Sequence, residues 1–342
     1  MKIKTDKILF YAISMAALTF FVMSCKKSDD SDSVYMEGSL SIDLPAYILA
    51  GETYTLSVTG ITTPTEGVTY KWTTTGWPLD SVIGQVVTVQ APLTIGDYTV
   101  QVIARHTDYV SSAMSKATTV LNYAEGGSFS GLTKGDLSFT DSRDGQTYYY
   151  NKIGNLYWFT HNLNWAANGK GHPYMDADAI SYAYGRLYTW ADATGGVSAS
   201  GLGQGPQGVC PSGWRVPTNE DWEDLAKNLN GGVAVPFDNF WSGLGGKVTI
   251  QAYMNSVTMW KYSPDNQQSN MFKWSALPAG NAQKDFSRYR YLREYGFWWT
   301  ATEKDANFAN YRYIYFDNAD FPYNYTAKDD FGASVRCVKI AN

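Results

Sequence analysis

Apolar and polar residues alternate in short runs at 39–44, 54–59, 69–74, 86–90, 97–104 and 117–121. Turn chemistry separates them, as at Ala50-Gly51-Glu52 and between Gly60 and Gly67. A period of two with regular spacing predicts half-buried strands, and six such strands predict a β-sandwich. In that frame Trp72 is a core tryptophan of a central strand, and Tyr98 a corner tyrosine near the start of a late strand. Beyond residue 137 the pattern changes. Asp144-Gly145 marks a hairpin turn leading into the aromatic strand at 147–150, and a second strand follows at 154–159. Tyr184, Leu187, Tyr188 and Ala191 share one helical face that ends at Gly195-Gly196. A second helix is better marked: Thr218 caps it, Asp221 stands at the capping-box position, and Trp222, Leu225, Ala226 and Leu229 form its apolar stripe before Gly231 stops it. The runs at 295–302 and 332–340 predict central strands.

The first 24 residues have a different logic. Lys2, Lys4 and Lys7 precede an apolar run at 8–23, too short for a comfortable membrane span, which reads as a secretory signal. Val22-Met23-Ser24-Cys25 resembles a bacterial lipobox, and that resemblance implies cleavage before Cys25 and a lipid on Cys25 as membrane anchor. The polar stretch after it lacks an apolar period and reads as a tether. Its Ser28-Asp29-Asp30 is similar to the acidic export signals of Bacteroidota lipoproteins, which implies an outer-membrane lipoprotein exposed on the cell surface. The expected organisation is a signal peptide at 1–24, a tether at 25–34, a sandwich at 35–122, a Gly/Ser/Thr-rich linker at 123–137 and a second domain at 138–342.

The pieces Tyr70-Lys71-Trp72 and 96–102 resemble the PKD-like and immunoglobulin-like repeats of bacterial surface proteins, although no cysteine lies between 35 and 122. The second domain carries an ordered set of motifs at 144–148, Asn162-Leu163, 184–190, 210–218, 276–280, 297–300 and 334–338. This set resembles the Fibrobacter succinogenes major paralogous domain over essentially 138–342. The resemblance implies an α+β C-type-lectin-like fold with two helices, a small curved antiparallel sheet and long loops. That fold is shared with formylglycine-generating enzymes. The chain departs from the family pattern at Phe159-Thr160-His161, where a Met-Ala-Glu-like run is more usual. The expected fold class is therefore a β-rich two-domain protein, an immunoglobulin/PKD-like β-sandwich followed by this α+β domain.

Composition narrows the chemistry. The 342 residues include 44% hydrophobic and 17% charged residues, enough apolar material for packed cores, and the net charge of −5 gives no basic footprint for nucleic acid. With Cys25 lipidated, Cys210 and Cys337 remain, and an even pair in an exported chain predicts a disulfide. A reactive thiol pair is the competing reading, but no histidine base or second thiol stands near either cysteine in sequence. His106, His161 and His172 are scattered without metal-ligand spacing, so no metal or cofactor is expected. Acids and amides at 317–320, 329–330, Asp141 and Asp144 could hold calcium but read as solvated turns. The acids Glu220, Asp221, Glu223 and Asp224 suit the positive end of a helix without any catalytic role, and 201–205 lacks the ending of a phosphate loop. No catalytic residue is assigned, and the chain is not expected to be an enzyme.

Ten of the 12 tryptophans follow residue 150. Those inside the motifs read as core, while Trp241, Tyr253, Trp260, Tyr262, Tyr289 and Tyr291 lie in the irregular segment where such folds carry binding loops. They are the candidate ligand-binding residues. The function this implies is a lipid-anchored surface binding or adhesion protein presenting a lectin-like module to a glycan or protein. A structural subunit or tip of a surface appendage, or a divergent enzyme on the same fold, are the alternatives.

Overall fold

The computed structural model describes residues 33–77, 82–166, 169–261 and 268–341. Cys25 with its lipobox lies outside them, and so does Tyr262.

Seven strands come first. β1 (Glu37–Asp43), β3 (Thr53–Thr63) and β5 (Val86–Gln90) form one sheet in the order β1-β3-β5, and β2 (Tyr47–Leu49), β7 (Tyr109–Leu121), β6 (Gly96–His106) and β4 (Thr69–Thr75) form another in the order β2-β7-β6-β4. Alternate residues such as Leu56, Val58, Val87, Val89, Val100 and Val102 enter one shared core. Trp72 is fully buried in it, with its indole N–H donating to the Gly84 carbonyl at 2.8 Å. The Tyr98 hydroxyl donates to the Thr94 carbonyl, four residues back, at 2.9 Å. The first half of β7 carries no apolar alternation and is strand only because β6 pairs with it along its length.

The rest of the chain adds β8 (Phe129–Ser130), β9 (Leu137–Thr140), β10 (Thr147–Ile153) and β11 (Leu156–Phe159), then helices α1 (Asp178–Tyr184), α2 (Trp190–Thr194), α3 (Asn219–Leu229) and α4 (Gly245–Val248). The strands β12 (Tyr253–Met254), β13 (Val257–Thr258), β14 (Ala279–Gln283), β15 (Arg288–Leu292) and β16 (Tyr295–Glu303) follow. β17 (Phe308–Tyr315), β18 (Tyr323–Ala327), β19 (Phe331–Gly332) and β20 (Val338–Ile340) complete the order. The main sheet runs β15-β14-β16-β17-β18, and a smaller one runs β20-β11-β10-β9.

Three local expectations change. The segment at 123–137 has the composition of a free linker, yet β8 pairs with β12, and Tyr123 stacks on Tyr182 at 4.4 Å. Its glycines serve close approach: a Cβ on Gly131 would sit 2.5 Å from the Gln251 carbonyl oxygen, and one on Gly135 would sit 2.8 Å from the Tyr150 nitrogen. Leu121, with Tyr47 and Leu49, packs into the same apolar cluster as Ile180, Tyr184 and Leu277. Second, the helix expected through Tyr184–Ala191 is split. Gly185 leaves α1 at φ 71°, ψ −159°, where any Cβ would meet Asn162, and Leu187 and Tyr188 then bridge to His172 and Ala333 before Thr189 caps α2. Third, β20 is an edge strand of three residues, because 333–337 is spent on cross-bridges and buried anchors and not on a ladder.

Those anchors organise the interior. Asn162, almost fully buried, donates from Nδ2 to the Tyr184 carbonyl at 2.8 Å and to Ser334 Oγ at 3.1 Å. Its Oδ1 accepts from Trp298 Nε1 at 2.9 Å and Arg336 Nε at 2.7 Å. The Arg336 guanidinium is fully buried and also donates to the carbonyls of Phe159, Trp274 and Ser275, with its plane over the Trp274 ring. Cys337, the next residue, is bonded to Cys210 across 127 residues.

Helix α3 is held by its acids. Thr218 and Asp221 form a full capping box, and the stripe Trp222, Leu225, Ala226 and Leu229 is buried. The acids of the cluster then take backbone N–H groups from three other segments: Glu220 from Gly201 at 2.8 Å and Asp221 from Gly203 at 2.5 Å, Glu223 from Phe237 at 2.7 Å and Asp224 from Asn155 at 2.8 Å. Charge-assisted bonds of this kind tie loops to a rigid element.

Asn162→Ala leaves the Trp298 indole and a buried guanidinium short of a partner, so a loss of about 3–5 kcal/mol in urea unfolding is expected. Cys337→Ser, which opens the long loop, is expected to cost about 2–5 kcal/mol in the same measurement. Burial, with Arg336 and Lys134 adding, holds the His161 imidazole down at about 4, below its ordinary 6.5. In that window the unfolded chain binds a proton that the folded chain does not, so stability rises with pH. Asp221, pushed by burial from 3.8 up to about 6, runs the other way, since the folded chain keeps its proton and stability falls as pH rises. His161→Phe removes only the first slope. Its urea midpoint, relative to the parent's, is expected to be higher at about pH 4.5 than at about pH 7.

Candidate functional site

The six aromatic residues proposed from sequence separate into different environments. Trp241 is 2% exposed, its N–H donates to the Pro236 carbonyl, and the Arg312 guanidinium covers its face at 3.3 Å. Trp260 is equally buried, with its N–H on the Ala276 carbonyl at 3.2 Å. These two indoles are core, because the irregular backbone around them wraps inward around Arg312 and the α4 region instead of projecting as loops. Tyr253 is half-buried in the short ladder with β8. Tyr289 and Tyr291 reach the surface of β15, and Tyr291 is 41% exposed.

Around Tyr291 the main sheet builds a tyrosine face. The direct pairs Tyr295–Tyr315, Phe297–Tyr313 and Trp299–Tyr311 between β16 and β17 place all six rings on one side. At the Trp299 end that side is closed by the core around Tyr188 and Trp190. At the other end Tyr295, Tyr313 and Tyr315 stay half-exposed. Their rings are close to parallel: Tyr295 lies 5.4 Å from Phe297 at 4°, and 5.7 Å from Tyr315 at 23°, while Phe297 lies 6.0 Å from Tyr313 at 29°. Tyr291 tilts against Tyr295 at 4.9 Å. Partial burial raises the Tyr295 phenol, with Tyr291, Tyr313, Asp317 and Tyr315 adding to the shift, so Tyr295 keeps its hydroxyl proton at neutral pH. The array is thus an uncharged donor and acceptor surface on an aromatic base, with Asp317 at its border.

Tyr313 and Tyr315 were legible in principle. Tyr311-Arg312-Tyr313-Ile314-Tyr315 puts a tyrosine at every second position, the signature of one aromatic strand face.

Beside this face, Asp176 accepts from the Tyr289 hydroxyl at 2.7 Å and lies 3.1 Å from His172 Nδ1, and the His172 ring stacks on Phe286 at 4.1 Å. This cluster joins the turn at Tyr174–Asp176 to β15. Of the carboxylates weighed for calcium, three are engaged within the protein: Asp141 is buried and clamped by Nε and Nη2 of Arg143, Asp144 accepts from the Gln146 N–H at 3.0 Å, and Asp320 accepts from the Gly243 N–H at 2.8 Å. Among the described residues no group of three or more His, Cys, Asp or Glu converges on one point. None of the described helices is long and apolar enough to cross a membrane.

No curated protein matches the chain. A family model does: the Fibrobacter succinogenes major domain matches residues 152–339, from the end of β10 to β20 and including the Asn162, Cys210, Arg336 and Cys337 anchors. More than half of the sequence lies within that match, and the chain belongs to the Fibrobacter succinogenes major domain family.

Proposed function

We propose that this is a lipid-anchored, surface-exposed binding protein whose contact surface is the face formed by Tyr291, Tyr295, Tyr313 and Tyr315, and that its ligand is a glycan. Cys25 supplies the anchor and residues 26–34 the tether. The β1–β7 sandwich, of immunoglobulin or PKD type, stands between tether and binding module, and the remainder is a C-type-lectin-like domain. The Tyr98 corner hydrogen bond supports the first assignment, and the main sheet with α2 and α3 packed against β16 supports the second.

The observation that carries the reading is the half-exposed, near-parallel ring array. Phenol rings offer an apolar surface to the C–H face of a pyranose, and their hydroxyls pair with sugar hydroxyls at the rim. The absence of a fixed charge on the rings fits a neutral sugar, because no ionic group has to be desolvated. Rigid tyrosines also lose little side-chain entropy on binding.

A glycan array probed with oxidised protein starting at Ser33 is expected to give saturable binding to neutral oligosaccharides. Tyr291→Ala combined with Tyr313→Ala is expected to weaken it by about tenfold or more with little change in melting temperature. Retention of full affinity by that variant, or binding of proteins alone, overturns the reading.

A further inference from the structure

A second, chemically different site lies on the other sheet. Between Asp136–Leu137 and the segment 271–273, beside the end of β10, there is a cleft of about 350 Å³ lined by Asp136, Leu137, Asn151, Lys152, Met271, Phe272 and Lys273. It shares no residue with the tyrosine face. Its volume falls within the range of small-ligand sites, which is about 300–1,000 Å³.

The cleft is built and not incidental. Asn151, buried at its base, joins the two walls: its Oδ1 accepts from the Asp136 N–H at 2.7 Å, and its Nδ2 donates to the Phe272 carbonyl at 3.2 Å. Lys273 is held across the opening by Asp136 at 2.5 Å. Lys152 is exposed and makes no ion pair or hydrogen bond with any described residue through its ammonium. The lining thus carries two lysines, Lys152 and Lys273, against the single carboxylate of Asp136, in a chain whose net charge is −5. Met271 and Leu137, 60% and 44% exposed, form apolar walls beside these charges.

We propose that this cleft binds a hexuronate unit of an acidic polysaccharide. A uronic acid carries both features the cleft complements. Its carboxylate suits the ammonium of Lys152 with Lys273 beside it, and its ring C–H face suits Met271, Leu137 and Phe272. A fatty carboxylate fits less well, since the apolar walls are short and open to water. An isolated inorganic anion would leave those walls without a partner.

The test uses the same folded protein as above, titrated by calorimetry with oligogalacturonate and, as the uncharged control, with neutral galacto-oligosaccharide. Binding of the oligogalacturonate is expected to fall steeply as salt is raised. Lys152→Glu is expected to weaken it by about tenfold or more, with Met271→Asp giving a similar loss, while melting temperatures stay near the parent's. The Tyr291→Ala/Tyr313→Ala protein is expected to retain it in full, so the two sites fail or stand separately. Equal binding of the charged and neutral sugars, unchanged affinity in Lys152→Glu, loss of binding in the tyrosine variant, or no oligogalacturonate binding at all overturns the proposal.

Discussion

A positive charge buried without a carboxylate is the constraint on which the second half of this protein depends. Arg336 sits in the interior with its guanidinium shared among Asn162 and the carbonyls of Phe159, Trp274 and Ser275. Taking such an ion out of water costs several kcal/mol, and only a complete set of acceptors offsets it. Those acceptors come from two places far apart in sequence, 159–162 and 274–275, so the guanidinium is satisfied only when both have met the stretch that carries Arg336. Arg312, the cross-strand partner of Trp298, repeats the device on that same side of the main sheet, donating to the carbonyls of Phe237, Asn239 and Phe321 and stacking on Trp241. Each arginine thus makes a loop-rich region, poor in regular ladder, behave as a single packed body.

This explains what could be read in advance and what could not. The sandwich strands, the capped helix α3 and the Cys210–Cys337 pair are local or compositional signals: a period of two, a capping box, an even cysteine count. The break at Gly185 is not local. Tyr184, Leu187 and Tyr188 do face the interior, but they enter two different clusters, and only the approach of Asn162 decides that the chain must turn there. Trp241 and Trp260 are core and not binding surface for a similarly non-local reason: their sequence is irregular, but the segment packs inward, Trp241 under Arg312 and Trp260 in the same apolar cluster.

The candidate surface was half legible. Tyr291 stands in the expected region, whereas Tyr295 belongs to a run that reads as a central strand, and Tyr313 and Tyr315 belong to β17, which none of the predicted strands covers. The strands are central; the face they present changes from covered to open along its length, and periodicity gives the side of a residue but not how far its neighbours extend. The acid cluster on α3 shows the opposite case. A concentration of carboxylates that resembles a catalytic group is used up, one by one, in holding Gly201, Gly203, Phe237 and Asn155.

The pairing of β8 with β12 bears on where this protein can be divided. The family match starts at residue 152, but the packing that supports its first helix reaches back through Phe129 and Leu121 to Tyr47. A cut at the boundary drawn from sequence similarity would strip β12 of its neighbour and leave α1 with an apolar side uncovered. The unit that recurs among relatives and the unit that can stand alone in water are therefore not the same length of chain, and a graft of this domain onto another scaffold would have to carry the preceding strand with it or replace what that strand covers.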